Sequence, residues 1–102
     1  MPAGNIIGKH IHYHSLVLKK NIVGSRIRRA RREAKPQVTQ TELAARLQVL
    51  GMTIEQSGIS KIESGQRPVL DFEVVALAKA LKVAVAWLFE GTNGDIVAID
   101  TE

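Results

Sequence analysis

Between Val38 and Gly65 the chain reads VTQTELAARLQVLGMTIEQSGISKIESG, and this stretch leaves few folds open. Thr39 offers an N-cap hydroxyl, with Glu42 three residues on, which is capping-box spacing. Leu43, Ala44, Leu47 and Leu50 then recur on one helical face. Gly51 follows, where a residue without a side chain ends a helix easily. A second helix is expected from Glu55 or Gln56 to Glu63, with Ile59 and Ile62 inward and Ser64-Gly65 closing it. Two short amphipathic helices joined by a glycine-containing turn make a helix-turn-helix unit.

The flanks extend the same pattern. Val23, Ile27, Ala30 and Ala34 share one face of a helix expected over 23–34, ended by Pro36. Arg31 sits beside that apolar seam and needs a partner, because an unpaired buried charge is costly. Asp71 is expected to cap a fourth helix with Val74, Leu77, Ala78 and Leu81 as its stripe. A fifth short helix carries Val85, Trp87 and Leu88, with Gly91 and Gly94 beyond it. Trp87 is expected in the core rather than at an interface. The fold class is therefore all-α, a compact five-helix domain over 21–91. Residues 1–20 form an N-terminal arm and residues 92–102 a short C-terminal tail. His10 to Leu18 and Asp95 to Asp100 each alternate as a strand would.

Composition narrows the class. A chain of 102 residues, 45% apolar, is one small domain with one modest core. Without cysteine it has neither disulfides nor thiolate metal sites. The N-terminus lacks the apolar core of a signal peptide, and no run approaches membrane-spanning length, so a cytoplasmic location is expected. His10, His12 and His14 would share one strand face, but no further ligand supports zinc, and a polar face is the plainer reading. There is no activated nucleophile, paired carboxylate or phosphate-binding glycine loop, so neither an enzyme nor a cofactor is expected. Charge is uneven: residues 9–35 hold nine basic side chains and one acid, Glu33. Such polarity indicates a polyanionic partner, although a solvated helix face would give the same count.

The third helix carries the chemistry. A helix fits the DNA major groove and reads base edges from its N-terminal residues. Gln56 can donate and accept toward adenine, and Ser57 toward several bases. Gly58 weakens the helix but permits close approach. Lys61, one turn on, reaches a guanine or a phosphate. Glu55 either caps the helix or accepts from cytosine. Gln40 begins the second helix at a natural phosphate site and is within reach of Gln56.

Residues 21–91 resemble the lambda-repressor-like helix-turn-helix family, also called XRE or Cro/C1 type. The likeness rests on Thr39-Gln40 with Glu42-Leu43-Ala44, and on Gln56-Ser57-Gly58. It continues through Ile59-Ser60-Lys61-Ile62-Glu63-Ser64-Gly65, Leu77 to Val83, and Trp87-Leu88. It implies base contacts by Gln56, Ser57 and Lys61, with Glu55 a further candidate. It implies phosphate contacts by Gln40 and Ser64, with Thr39 and Arg67 beside them, and an ion pair between Arg31 and Glu63. About five extra residues near Gln48 to Met52 lengthen the second helix or its turn, and Pro36-Gln37 enlarges the first loop. The expected function is a sequence-specific transcriptional regulator, a repressor binding double-stranded DNA as a homodimer on a palindromic operator. The alternative is an antitoxin or other protein-interaction module with a protein partner and secondary DNA binding.

Overall fold

The computed structural model describes residues 19–91. The strand readings at His10–Leu18 and Asp95–Asp100, the three alternating histidines and Gly94 lie outside the described residues. Among these residues the chain forms five helices: α1 Gly24–Glu33, α2 Gln40–Val49, α3 Gln56–Glu63, α4 Asp71–Leu81 and α5 Val85–Phe89. None is long and apolar enough to cross a membrane. The all-α class and the order of helices agree with the sequence reading.

One core serves all five helices. Ile27 from α1, Leu43 and Leu47 from α2, Ile59 and Ile62 from α3, Leu77 from α4 and Leu88 from α5 are fully buried. Val74, Ala78 and Leu81 complete the α4 stripe. α1 packs on α3, α4 and α5, while α2 packs on α3 and α4. Burying a large aliphatic side chain stabilises by about 1.5–3 kcal/mol, so this cluster is the main driving force for the fold.

The extra residues near Gln48 to Met52 divide between helix and turn: Gln48 and Val49 close α2, and Leu50 to Met52 belong to the turn. α2 stops at Val49, and Gly51 takes a positive φ of 90°. The Gly51 N–H donates to Gln48 O and the Met52 N–H to Leu47 O, the paired bonds of a Schellman stop. Leu50, expected in the buried stripe, is exposed at the helix end. Met52 and Ile54 pack against the core from the extended linker instead. α3 ends the same way: Gly65 has φ 79°, its N–H donates to Ile62 O, and Gln66 N–H donates to Lys61 O.

Three local expectations need correction. Thr39 caps α2 by accepting from Glu42 N–H at 3.0 Å, but the Glu42 carboxylate turns away to Arg46 and leaves the capping box half made. Asp71 is not the cap of α4. Leu70 holds that position, and Glu73 reaches back to accept from the Leu70 N–H at 3.0 Å. Trp87 is half-buried rather than central, since the Arg26 guanidinium lies 3.7 Å above its ring. Arg26 Nε also donates to Trp87 O at 3.1 Å, so one arginine secures α5 to α1.

The orientation of α3 is fixed by a buried carboxylate. The Glu63 side chain is 0% exposed. Arg31 donates to it through Nε at 2.7 Å and Nη2 at 2.8 Å, and Arg28 Nε lies 3.3 Å away. Arg31 Nη1 also donates to Val38 O at 3.1 Å, tying the α1–α2 loop to the same knot. Burial alone would push the Glu63 carboxyl up, but the bonds from Arg31, Gln40 and Arg28 together hold it below the ordinary glutamate range. Glu73 is likewise held down, chiefly by Arg67.

Asn21 supplies a second clamp. Its Oδ1 accepts from the N–H groups of Val23 and Gly24, and its Nδ2 donates to Ile62 O and Arg67 O. This brings the start of α1 against the end of α3 so closely that a Cβ on Gly24 would lie 2.1 Å from Ile62 O. Backbone cannot give way as a side chain can. Gly24→Ala is therefore expected to destabilise the domain by about 1–3 kcal/mol, despite alanine's better helix propensity. A denaturant titration checks it, and equal or higher stability would refute the close contact.

Removing one partner of a buried pair costs about 3–5 kcal/mol, so Arg31→Ala should lower the melting temperature markedly. An unchanged value would show that Glu63 is not held by Arg31. Glu63 and Glu73 bind protons more weakly when folded, so the unfolded chain takes up more protons in acid. Their contribution is present at neutral pH and is lost as pH falls below about 4. Melting curves from pH 7 to pH 3 should show this loss, and a Glu63→Gln chain should show a shallower one.

Candidate nucleic-acid interface

α3 presents its polar side chains outward. Glu55, Gln56, Ser57, Lys61 and Ser64 are all exposed, while Ile59, Ile62 and Glu63 face the core. The long turn packs inward through Met52 and Ile54 and does not cover the helix. Gly58 also has a use inside the fold. A Cβ there would meet the Ile54 side chain at 2.7 Å, so the missing side chain accommodates the linker.

Glu55 stands at the N-cap of α3 but makes no side-chain capping bond, which leaves its carboxylate free toward solvent. Glu55 is thus the N-cap through its backbone alone, with its carboxylate at the positive end of the helix. Ser57 and Lys61 lie four residues apart, one above the other on the exposed face. Ser64 Oγ donates to Lys61 O at 3.2 Å, so its proton is turned into the helix end and not outward. Thr39 accepts a backbone N–H, yet a hydroxyl that accepts still has a proton to donate.

Gln40 and Gln56 meet across the two helices. Gln56 Nε2 donates to Gln40 Oε1, and Gln40 Nε2 donates to Glu63 Oε1 at 3.0 Å. Two consequences follow. The Gln40 amide is held at the N-terminus of α2, and the Gln56 side chain is steadied where it leaves the protein surface. An ordered long side chain loses less entropy on contact than a free one.

Arg67 is placed differently from the other phosphate candidates. Its guanidinium forks onto Glu73, with Nη1 and Nη2 each 3.1 Å from a carboxylate oxygen, and Nη1 also donates to Pro68 O. Its role in the fold is to hold the α3–α4 loop to the start of α4. A phosphate would have to compete with Glu73 for it.

The basic run at 9–35 is less available than its count implies. Arg26 stacks on Trp87 and lies 3.6 Å from Glu90, Arg29 pairs with Glu33, and Arg28 and Arg31 both serve Glu63. Arg32 alone among the α1 arginines has no ion pair among the described residues. Four of the nine basic residues of the run are therefore engaged by neighbours in the fold, while Lys19, Lys20, Arg32 and Lys35 stay exposed and Lys9 lies outside the described residues. Asn21, Arg28 and Arg46, which donates to Ala80 O at 2.9 Å, escaped the sequence reading. Asn21 had a local signal, a capping residue just ahead of a helix, but its bonds to Ile62 and Arg67 span more than forty residues.

The outward polar row on α3, the α2 terminus beside it and the turn between them have the geometry of a groove-reading unit. Comparison with known proteins agrees. Residues 22–88, more than half of the chain, match the family described as Helix-turn-helix domain. No curated protein and no solved structure matched the chain. The match, the five-helix order and the residues of α2 and α3 place this chain in the helix-turn-helix family, consistent with its lambda-repressor-like, XRE type.

Proposed function

We propose that this protein is a sequence-specific DNA-binding transcriptional repressor that acts in the cytoplasm as a homodimer on a palindromic operator. The observation that carries the reading is the exposure of Gln56, Ser57 and Lys61 on α3, with Gln40 steadying Gln56 from α2. Side chains free at the surface of a helix can enter the major groove, and an amide can pair with adenine through both its atoms. Glu55 adds an acceptor suited to cytosine N4. The phosphates would be met by the N-terminus of α2 with Gln40 and Thr39, and by Ser64 after its hydroxyl turns.

The length of the reading element supports a dimer. α3 has eight residues and is about 12 Å long, which spans only about four base pairs. Two copies related by a two-fold axis double that reading and match paired half-sites one helical turn apart. Repression would then be occlusion of a promoter by the bound dimer.

Selection of bound sites from random duplexes should return an inverted repeat. On that operator, Gln56→Ala is expected to relax base preference at one position per half-site by about 1–3 kcal/mol, with the salt dependence of binding nearly unchanged. Fluorescence titrations against single-base variants measure it. Binding that is indifferent to sequence in both chains would refute the reading. Co-purification of a stoichiometric protein partner without operator binding would favour the antitoxin alternative.

A further inference from the structure

We propose that Glu63 is a positioning residue for base recognition: it sets the donor and acceptor order that Gln56 presents to the DNA. The inference rests on the reading of α3 as the base-contacting helix and goes beyond it in assigning a recognition role to a buried structural ion.

The Glu63 carboxylate is fully buried and held ionised by Arg31 and Arg28, and an ionised carboxylate can only accept. The Gln40 atom 3.0 Å from Glu63 Oε1 must therefore be the amide nitrogen. That choice fixes the other end of the amide, and Gln40 Oε1 faces Gln56. A carbonyl oxygen also only accepts, so Gln56 must offer Nε2 to it. One Gln56 amide proton is thus committed. What remains for the DNA is its second amide proton and its Oε1, in one order only.

Adenine shows an acceptor at N7 beside a donor at N6 in the major groove, which pairs with one donor and one acceptor in a single order. A glutamine free to flip its amide would offer either order. The buried charge removes that freedom through two consecutive hydrogen bonds. Arg31 and Arg28 take part indirectly, because they keep the carboxylate charged.

A paired replacement, Arg31→Met with Glu63→Met, tests the assignment. A glutamine at 63 would not, because the arginines would hold its oxygen where Gln40 donates. The paired replacement removes that acceptor without orphaning a buried charge, so the bonds to Gln56 can run in either direction. The wild-type chain should favour adenine at the Gln56 position by at least about five-fold, the lower end expected of a two-bond contact. In the doubly substituted chain that preference should fall below about two-fold, while affinity for unrelated duplex and the salt slope stay unchanged. A folded doubly substituted chain that keeps the full preference overturns the proposal and leaves the regulator reading intact. A wild-type chain with no base preference at all overturns both. Side-chain amide NMR of the wild-type chain gives a second readout that needs no variant. Couplings across the hydrogen bonds should show Gln40 donating to Glu63 and Gln56 donating to Gln40. Averaged or reversed amides would overturn the proposal even if the doubly substituted chain fails to fold.

Discussion

A single carboxylate decides how this domain holds its exposed helix. Glu63 ends α3 inside the protein, where its charge would be intolerable without Arg31 and Arg28. Because both arginines lie on α1, the pair fixes the end of α3 relative to that helix. Arg31 then reaches Val38 O and brings the start of α2 into the same network. α2 and α3 are thus positioned by charge as well as by Leu43, Leu47, Ile59 and Ile62. Apolar packing supplies most of the stability, but it is non-directional, and the ion pair adds direction.

The network also divides the basic residues by task. α1 carries five arginines, and four of them neutralise or stack on parts of the protein itself. A run that looks uniformly polycationic in sequence is therefore divided, with Arg26 and Arg31 largely buried and Lys19, Lys20, Arg29, Arg32 and Lys35 at the surface. The polar contact surface comes from short side chains and amides on α3 and the α2 terminus, supported from behind. Such a surface favours discrimination over indiscriminate attraction to phosphates, since specificity resides in base-edge contacts.

The fold was legible because helix period, caps and stops agree. The α4 stripe Val74, Leu77, Ala78 and Leu81 is buried as its spacing requires, and Gly51 and Gly65 end their helices with positive φ. Errors fall where a local rule met a competing contact. Leu50 continues the α2 period yet lies exposed, because the Schellman stop turns the chain and Met52 and Ile54 cover the core instead. Asp71 resembles a cap, but Glu73 already satisfies the Leu70 N–H, with Arg67 holding it in place. Trp87 packs against the core but stays half-buried, with the largely buried Arg26 guanidinium over its ring. Gly58 makes room for Ile54, a contact its position in the sequence does not announce.

The sequence by itself determined the five helices, their order and the polar residues that lead α3, because hydrophobic period and capping chemistry act over a few residues. Beyond the Arg31–Glu63 pair, which the family resemblance already implied, only the tertiary structure decided which charges are spent on one another, which turn residues fill the core and which way the Gln40 and Gln56 amides face. Those outcomes depend on groups far apart along the chain meeting at hydrogen-bond distance, and neither period nor composition encodes such a meeting.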